Sequence, residues 1–130
     1  GNIVQTTALN GVSTVYVWSY GGQYPIAKIE NATLAQLTSV ISQITLDAIA
    51  SRTAPTVSDL ALLNGLRADP VFAHAAVSTY TYRPLVGMLT ATDPAGIQTS
   101  YEYDALGRLI RIRDHAGHAT KEYEYYYMSN

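Results

Sequence analysis

The chain repeats itself with a period of 21 residues: Tyr82 and Tyr103, Asp93 and Asp114, Ala95 and Ala116, Gly96 and Gly117, and Thr99 and Thr120 all keep that offset. A fixed period near 20 residues means one small structural unit copied along the chain. The sharpest copy is Tyr101-Glu102-Tyr103-Asp104-Ala105-Leu106-Gly107-Arg108-Leu109, followed by Arg113-Asp114-His115-Ala116-Gly117. It reads as strand, tight turn, strand, tight turn. In each Asp-x-x-Gly element the Asp side chain can accept from backbone N–H groups two residues on. Asp93-Pro94-Ala95-Gly96 fits a type I turn, with Asp first, Pro second and Gly fourth. Asp93, Gly96, Asp104, Gly107, Asp114 and Gly117 are therefore read as turn residues, not as acid–base groups. Short turns join antiparallel neighbours, so the outcome is a meander.

The remainder of the chain is read by period. Residues 2–9 and 12–20 are rich in Val, Thr and Ile, and Asn10-Gly11 between them suggests a type I′ hairpin. Gly21-Gly22 leads into a third strand over 24–30, with Pro25 marking an edge or an irregular start. Then the period changes. Leu34, Leu37, Ile41 and Ile44 lie on one face of a helix, and Thr33 with Gln36 can form a capping box. Thr45 to Ser51 suits a second short helix. Ser58-Asp59 suits the start of a third, with Leu60, Leu63 and Leu66 on one side. Helices this short need a packed face, so these apolar residues should be buried against the sheet. Strands follow near 73–82, 86–92, 97–103, 108–113 and 119–127. The expected fold is α+β: a twisted antiparallel meander of seven or eight strands, with a two- or three-helix insertion on one face. The 130 residues form one module, divided into strands over 1–31, helices over 32–72 and repeats over 73–130.

The pattern Y-x-Y-D-x-x-G-R-L-x-x-x-x-D-x-x-G resembles the YD repeat, also called the RHS repeat. Residues 101–117 carry it in full. Residues 80–96 resemble a degenerate copy, with Arg83-Pro84-Leu85-Val86-Gly87 in place of the turn. Residues 120–127 resemble the opening of a third copy. Gly11-Val12-Ser13-Thr14-Val15-Tyr16-Val17-Trp18-Ser19-Tyr20-Gly21-Gly22-Gln23 resembles a diverged one, with Trp18 where Tyr103 stands. The resemblance covers 1–31 and roughly 76–127 and leaves 32–75 out. Family members are mostly large exported bacterial proteins, whose repeats form curling β-strips that in long members close into a shell, some enclosing a toxin. The resemblance therefore implies a scaffold module from the C-terminal part of a longer surface or secreted protein. Its partners would be upstream repeats, and any signal peptide would lie upstream.

Composition narrows the function. Charged residues make up 14%, against about 25% in typical globular proteins. The net charge is −2 and no Lys or Arg run occurs, which argues against nucleic acid. Cysteine is absent, so disulfides and thiolate metal sites are ruled out. No apolar run is long enough to span a membrane. His115 and His118 have H-x-x-H spacing, but with His74 remote they read as exposed turn residues rather than a metal site. Asn31-Ala32-Thr33 fits a glycosylation sequon, yet reads better as the approach to a helix. Long members of the family carry an autoproteolytic Asp-Pro motif. The surroundings of Asp93-Pro94 do not match it, and that activity is not carried over. No catalytic residue, metal site or cofactor is expected.

The tyrosines remain: 11 of them, against one Phe and one Trp. Tyr80/Tyr82, Tyr101/Tyr103 and Tyr123/Tyr125/Tyr127 are spaced i, i+2 on equivalent strands. They suit a cross-strand aromatic ladder, or a platform on which flat rings meet sugar C–H faces. Tyr80, Tyr82, Tyr101, Tyr103, Tyr123 and Tyr125 are the candidate ligand-binding residues of that second reading. Finally, residues 3–9 carry neither charge nor proline, the usual protections of a free sheet edge. They should pair with another copy or with a strand that closes the sheet. The C-terminal strand has Lys121, Glu122 and Glu124 nearby.

Overall fold

The structure is a computed structural model and describes residues 2–125. Three strands come first: β1 (Gln5–Thr7), β2 (Ser13–Ser19) and β3 (Tyr24–Glu30). Three helices follow, α1 (Leu34–Val40), α2 (Gln43–Ser51) and α3 (Val57–Asn64), then two 3-10 turns, Gly65–Ala68 and Pro70–Phe72. Five strands follow among the described residues: β4 (Ala76–Arg83), β5 (Gly87–Thr92), β6 (Gln98–Tyr103), β7 (Leu109–Arg113) and β8 (Ala119–Glu122). All eight strands form one antiparallel sheet in sequence order. This is an α+β meander with the helices inserted between β3 and β4.

The insertion covers only part of the sheet. Along β2, Ser13, Val15, Val17 and Ser19 are buried and the residues between them half-buried, the period-2 signature of one covered face. Val15, Val17, Ile29 and Val77 of the sheet share a core with Leu37, Ile41, Leu46, Ile49, Leu63, Leu66 and Phe72 of the insertion. α2 packs on β2 and α3 on β4. No residue from 80 to 125 is buried. Strands β5 to β8 therefore extend beyond the core as a leaf whose two faces are both open.

Hydrogen bonds fasten the insertion. The Ser19 hydroxyl donates to the Ile49 carbonyl at 2.8 Å, and the Gly21 N–H to the Arg52 carbonyl at 2.8 Å. Thr33 and Gln36 form the expected capping box. A second box caps α3 from Thr56, not from Ser58 as the sequence suggests: the Thr56 hydroxyl accepts from Asp59 N–H, and Asp59 accepts from Thr56 N–H. Asp59 is buried and bound by the Arg52 guanidinium at 2.7 Å. Burial alone would raise its pKa, but the Thr56 N–H, the Arg52 guanidinium and the Thr56 hydroxyl outweigh it and hold the carboxyl below its usual range. A depressed carboxyl stabilises the fold above the unfolded value, near ~3.9, and loses that contribution as pH falls through the folded value. Asp59→Asn is thus expected to cost about 1–2 kcal/mol at neutral pH. The gap to wild type should narrow below about pH 4. Urea midpoints across pH check this, and a gap independent of pH would contradict it.

Several expectations need correction. Ile44 is 83% exposed. The chain leaves α1 at Ile41, in extended conformation. Ser42 then caps α2 through Thr45 N–H. The 3-4-3 spacing thus spans two helices, and Leu46 and Ile49 take the inward positions of the second. Leu34 and Leu60 are half-buried, not buried. Asn10-Gly11 does not make a type I′ turn: only Gly11 has positive φ there, at 85°, and Gly11 N–H donates to the Ala8 carbonyl. β3 is interior, and Pro25 is accommodated where the β2–β3 register slips between Val17 and Trp18. Among the described residues the sheet does not close on itself, and β1 and β8 stand at its two ends.

Candidate functional surface

The three Asp-x-x-Gly turns share one construction. Asp93 N–H donates to the Ile97 carbonyl, and Gly96 N–H to the Asp93 carbonyl, both at 2.9 Å. Asp104 with Gly107 and Arg108, and Asp114 with Gly117 and His118, repeat the pair of bonds. Gly96, Gly107 and Gly117 have φ of 83°, 79° and 87°, the left-handed region where a side chain is strained. Each Asp Oδ1 accepts from the backbone: Asp93 from Ala95 and Ile97, Asp104 from Leu106 and Arg108, Asp114 from His118. The Arg108 N–H first, then the Arg108 side chain and the Leu106 N–H, hold the Asp104 carboxyl below its usual range. These carboxylates are occupied by backbone. The turn over residues 8–11 has the same backbone bonds, with Ala8 in the Asp position.

The tyrosines do not form a ladder of stacked rings. Ring–ring contacts among the described residues are confined to Tyr20, Tyr24 and Tyr82, with centroids 4.8–5.8 Å apart. Strands equivalent under the repeat are β4, β6 and β8, and each pair is separated by another strand. Two strand spacings are about 9.6 Å, beyond aromatic contact. Tyr82 instead joins the core: its N–H donates to the Tyr20 hydroxyl at 2.9 Å. Burial, then the neighbouring Tyr80 and Tyr20 phenols, push its own phenol up to about 12. Tyr24 accepts from the Leu85 N–H at 2.9 Å, where Leu85 holds a φ of 66°.

Tyr103 and Tyr125 act as tethers. The Tyr103 hydroxyl donates to the Met88 carbonyl at 2.7 Å, and the Tyr125 hydroxyl to the Leu109 carbonyl at 2.5 Å. Met88 and Leu109 are 21 residues apart, but Tyr103 and Tyr125 are 22. The extra residue is absorbed at β8, where Ile112 pairs with Lys121 and Arg113 with Ala119, leaving Thr120 out of register. Arg108 lies over the Tyr125 ring, 4.4 Å from its centroid. At the equivalent position of the preceding copy stands Gly87, where an added Cβ would lie 2.5 Å from the Tyr103 hydroxyl. Gly87→Ala is therefore expected to dislodge Tyr103 and cost about 1–2 kcal/mol. In a Tyr103→Phe background most of that cost should vanish, a coupling above about 0.5 kcal/mol. Denaturant unfolding of the two single variants and the double variant measures it, and equal costs in both backgrounds would refute the tether.

The other candidates are placed as follows. Tyr80 lies near Lys28, whose pKa is raised chiefly by Glu30 and slightly by the Tyr80 phenol. Tyr101 sits opposite Ile112, and Tyr123 is 41% exposed. Tyr127 lies outside the described residues. Charged side chains cross β6, β7 and β8: Arg111 bridges Glu102 and Glu122, and Arg113 binds Glu102 at 2.5 Å. Arg113 and Arg111 hold Glu102 below its usual range. His115 accepts from Gln98 N–H through Nδ1, while His118 lies 3.8 Å from Asp114, so the H-x-x-H pair turns to separate partners. Among the described residues no three His, Cys, Asp or Glu side chains gather as a metal site. No helix among them is long and apolar enough to cross a membrane. Asn31 donates its amide to the His74 carbonyl at 3.0 Å.

Sequence reasoning missed Arg67. Its Nε donates to the Val77 and Asp93 carbonyls at 3.1 Å, and its two terminal nitrogens reach Asn64, Thr79 and the Thr92 carbonyl. It joins the insertion to β4, β5 and the first Asp turn. An isolated Arg between Leu66 and Asp69-Pro70 carries no pattern that would announce this.

No curated protein matches the chain. The family model described as RHS Repeat matches residues 85–125. That segment holds β5 to β8, the three Asp-x-x-Gly turns and both tyrosine tethers. Over residues 85–125 the chain is similar to the RHS repeat, and the match stops short of the first three strands and the helical insertion.

Proposed function

We propose that the chain is a non-catalytic structural module of a bacterial cell-surface or secreted RHS/YD-repeat protein, extending or ending a β-strip or shell. The module runs over 1–130, with the diverged strands of 1–31 and the helices of 32–72 anchoring the twisted YD hairpins of 73–130. The observation that carries this reading is the leaf of β5 to β8. Its Asp carboxylates, tyrosine tethers and Arg111 and Arg113 are engaged in turns, strand-to-strand bonds and ion pairs, yet neither face is covered. A sheet of this kind finds its missing layer or edge in neighbouring repeats, as in other repeat arrays. Upstream repeats of a longer parent are the natural partners, and nucleic acid, membrane insertion and cofactors have no part in the role. A chain stopped after Gly96 keeps the core and every Arg67 partner. It should still unfold cooperatively, with a modestly lowered midpoint. Loss of the fold on that truncation would mean that the leaf belongs to the core, and would reject the reading.

A second reading makes the tyrosine face a carbohydrate- or protein-binding surface. The exposure of Tyr123 and Tyr125, 41% and 40%, favours it. The hydroxyl of Tyr125 is already bound to Leu109, which weighs against it. Binding on a glycan array that disappears with Tyr123→Ala would establish this reading, and a blank array would end its carbohydrate form.

A further inference from the structure

We propose that a hollow between β2 and the first two helices is a binding site for a small aromatic amine. The hollow measures about 150 Å³. A dry apolar cavity of about that size accepts one benzene ring. The site lies in the anchored part of the chain and is independent of the leaf.

Each wall follows from the fold. α2 presents Gln43, Leu46, Asp47 and Ala50 to the hollow, and their spacing places them on one face of the helix. α1 adds Leu34 and Leu37, one turn apart, and β2 adds Val17 and Trp18. Leu37, Leu46 and Val17 are buried, so the bottom of the hollow is apolar. The wall opposite the helices includes Val4, held in place by backbone and indole bonds. Tyr16 N–H donates to the Val4 carbonyl at 2.9 Å, and Trp18 Nε1 to the Ile3 carbonyl at 2.8 Å.

Charge selects the ligand. Asp47 is exposed, at the rim, and no other charged residue lines the hollow. Its Oδ1 accepts from the Gln43 amide at 2.8 Å. No ion pair joins Asp47 to a described residue. An anion would be repelled at this rim, and a neutral ring would leave the carboxylate unused. A primary amine supplies the missing cation through a charge-assisted hydrogen bond, roughly twice as strong as a neutral one. The aromatic ring then fills the apolar bottom.

The probe is phenethylamine, and Trp18, the one tryptophan, reports its binding by fluorescence. Wild type should bind it with a dissociation constant below about 1 mM. Phenylacetate, similar in shape and opposite in charge, should bind at least about tenfold more weakly. Ala50→Leu places a larger side chain in the hollow and should weaken phenethylamine at least about tenfold. Asp47→Asn can keep the bond from Gln43. It should weaken phenethylamine at least about fivefold and leave the uncharged isostere 2-phenylethanol unaffected. No fluorescence change up to about 10 mM phenethylamine overturns the proposal. So does binding that survives Ala50→Leu, because the site then lies elsewhere. Equal affinity for phenylacetate, or unchanged amine affinity in Asp47→Asn, overturns the assignment of the ligand as an amine. If Ala50→Leu fails to fold, Asp47→Asn and the phenylacetate comparison decide.

Discussion

Phe72→Ala is expected to destabilise the chain by about 3–5 kcal/mol, enough to remove a large part of the stability of a domain this size. Phe72 is the one phenylalanine and is 2% exposed. It closes the insertion just before β4, in the cluster that includes Leu63, Leu66 and Val77. Truncation leaves a cavity that two 3-10 turns and a sheet cannot easily collapse around. The contrasting variant is Ile112→Ala in β7, which is half-buried in a leaf without a core. It should cost less than about 1.5 kcal/mol, since its surroundings can relax into solvent. Chemical denaturation of both variants checks the pair. Similar losses at the two sites would mean that the leaf is packed as tightly as the core.

Arg67→Ala is expected to cost about 3 kcal/mol. Its guanidinium reaches the carbonyls of Val77, Thr92 and Asp93. Removal would leave these acceptors under-satisfied and the buried Thr79 without its cationic neighbour. Arg67→Lys should recover less than half of the loss, because an ammonium is a point charge that cannot fork across two strands. Burial weakly disfavours the Arg67 charge, yet the group stays ionised. The cost should therefore be flat across neutral pH. Equilibrium urea unfolding of the two variants measures this, and full rescue by lysine would show that charge matters there and geometry does not.

The parts of the fold that were legible in advance are those where a residue type answers a backbone need. Asp93, Asp104 and Asp114 bind turn amides, and Gly96, Gly107 and Gly117 supply positive φ, so their spacing of 11 and then 10 residues marks the hairpins directly. Thr33 and Gln36 announce α1 for the same reason. The turn at 8–11 was harder to read. Ala8 does the backbone work of the missing Asp, and Asn10-Gly11 points to a different turn type. Ile44 was misplaced because helical spacing cannot show the break at Ile41 and Ser42. The tyrosine ladder failed on topology: identical residues one repeat apart lie two strands apart, so rings cannot meet, while a phenol can still reach a carbonyl on the adjacent strand. The aromatic cluster of Tyr20, Tyr24 and Tyr82 joins distant segments, and no local pattern encodes it.

The division between an anchored core and an open leaf is tested most directly by native-state hydrogen exchange, read amide by amide. The expected result is a gradient: amides of Val15, Val17, Ile29 and Val77 exchange only through global unfolding, while those of β6 to β8 open through smaller fluctuations and exchange at least about 100-fold faster. Uniform protection from β2 through β8 would contradict it, because the leaf would then be one cooperative unit with the core and would have no need of a neighbour.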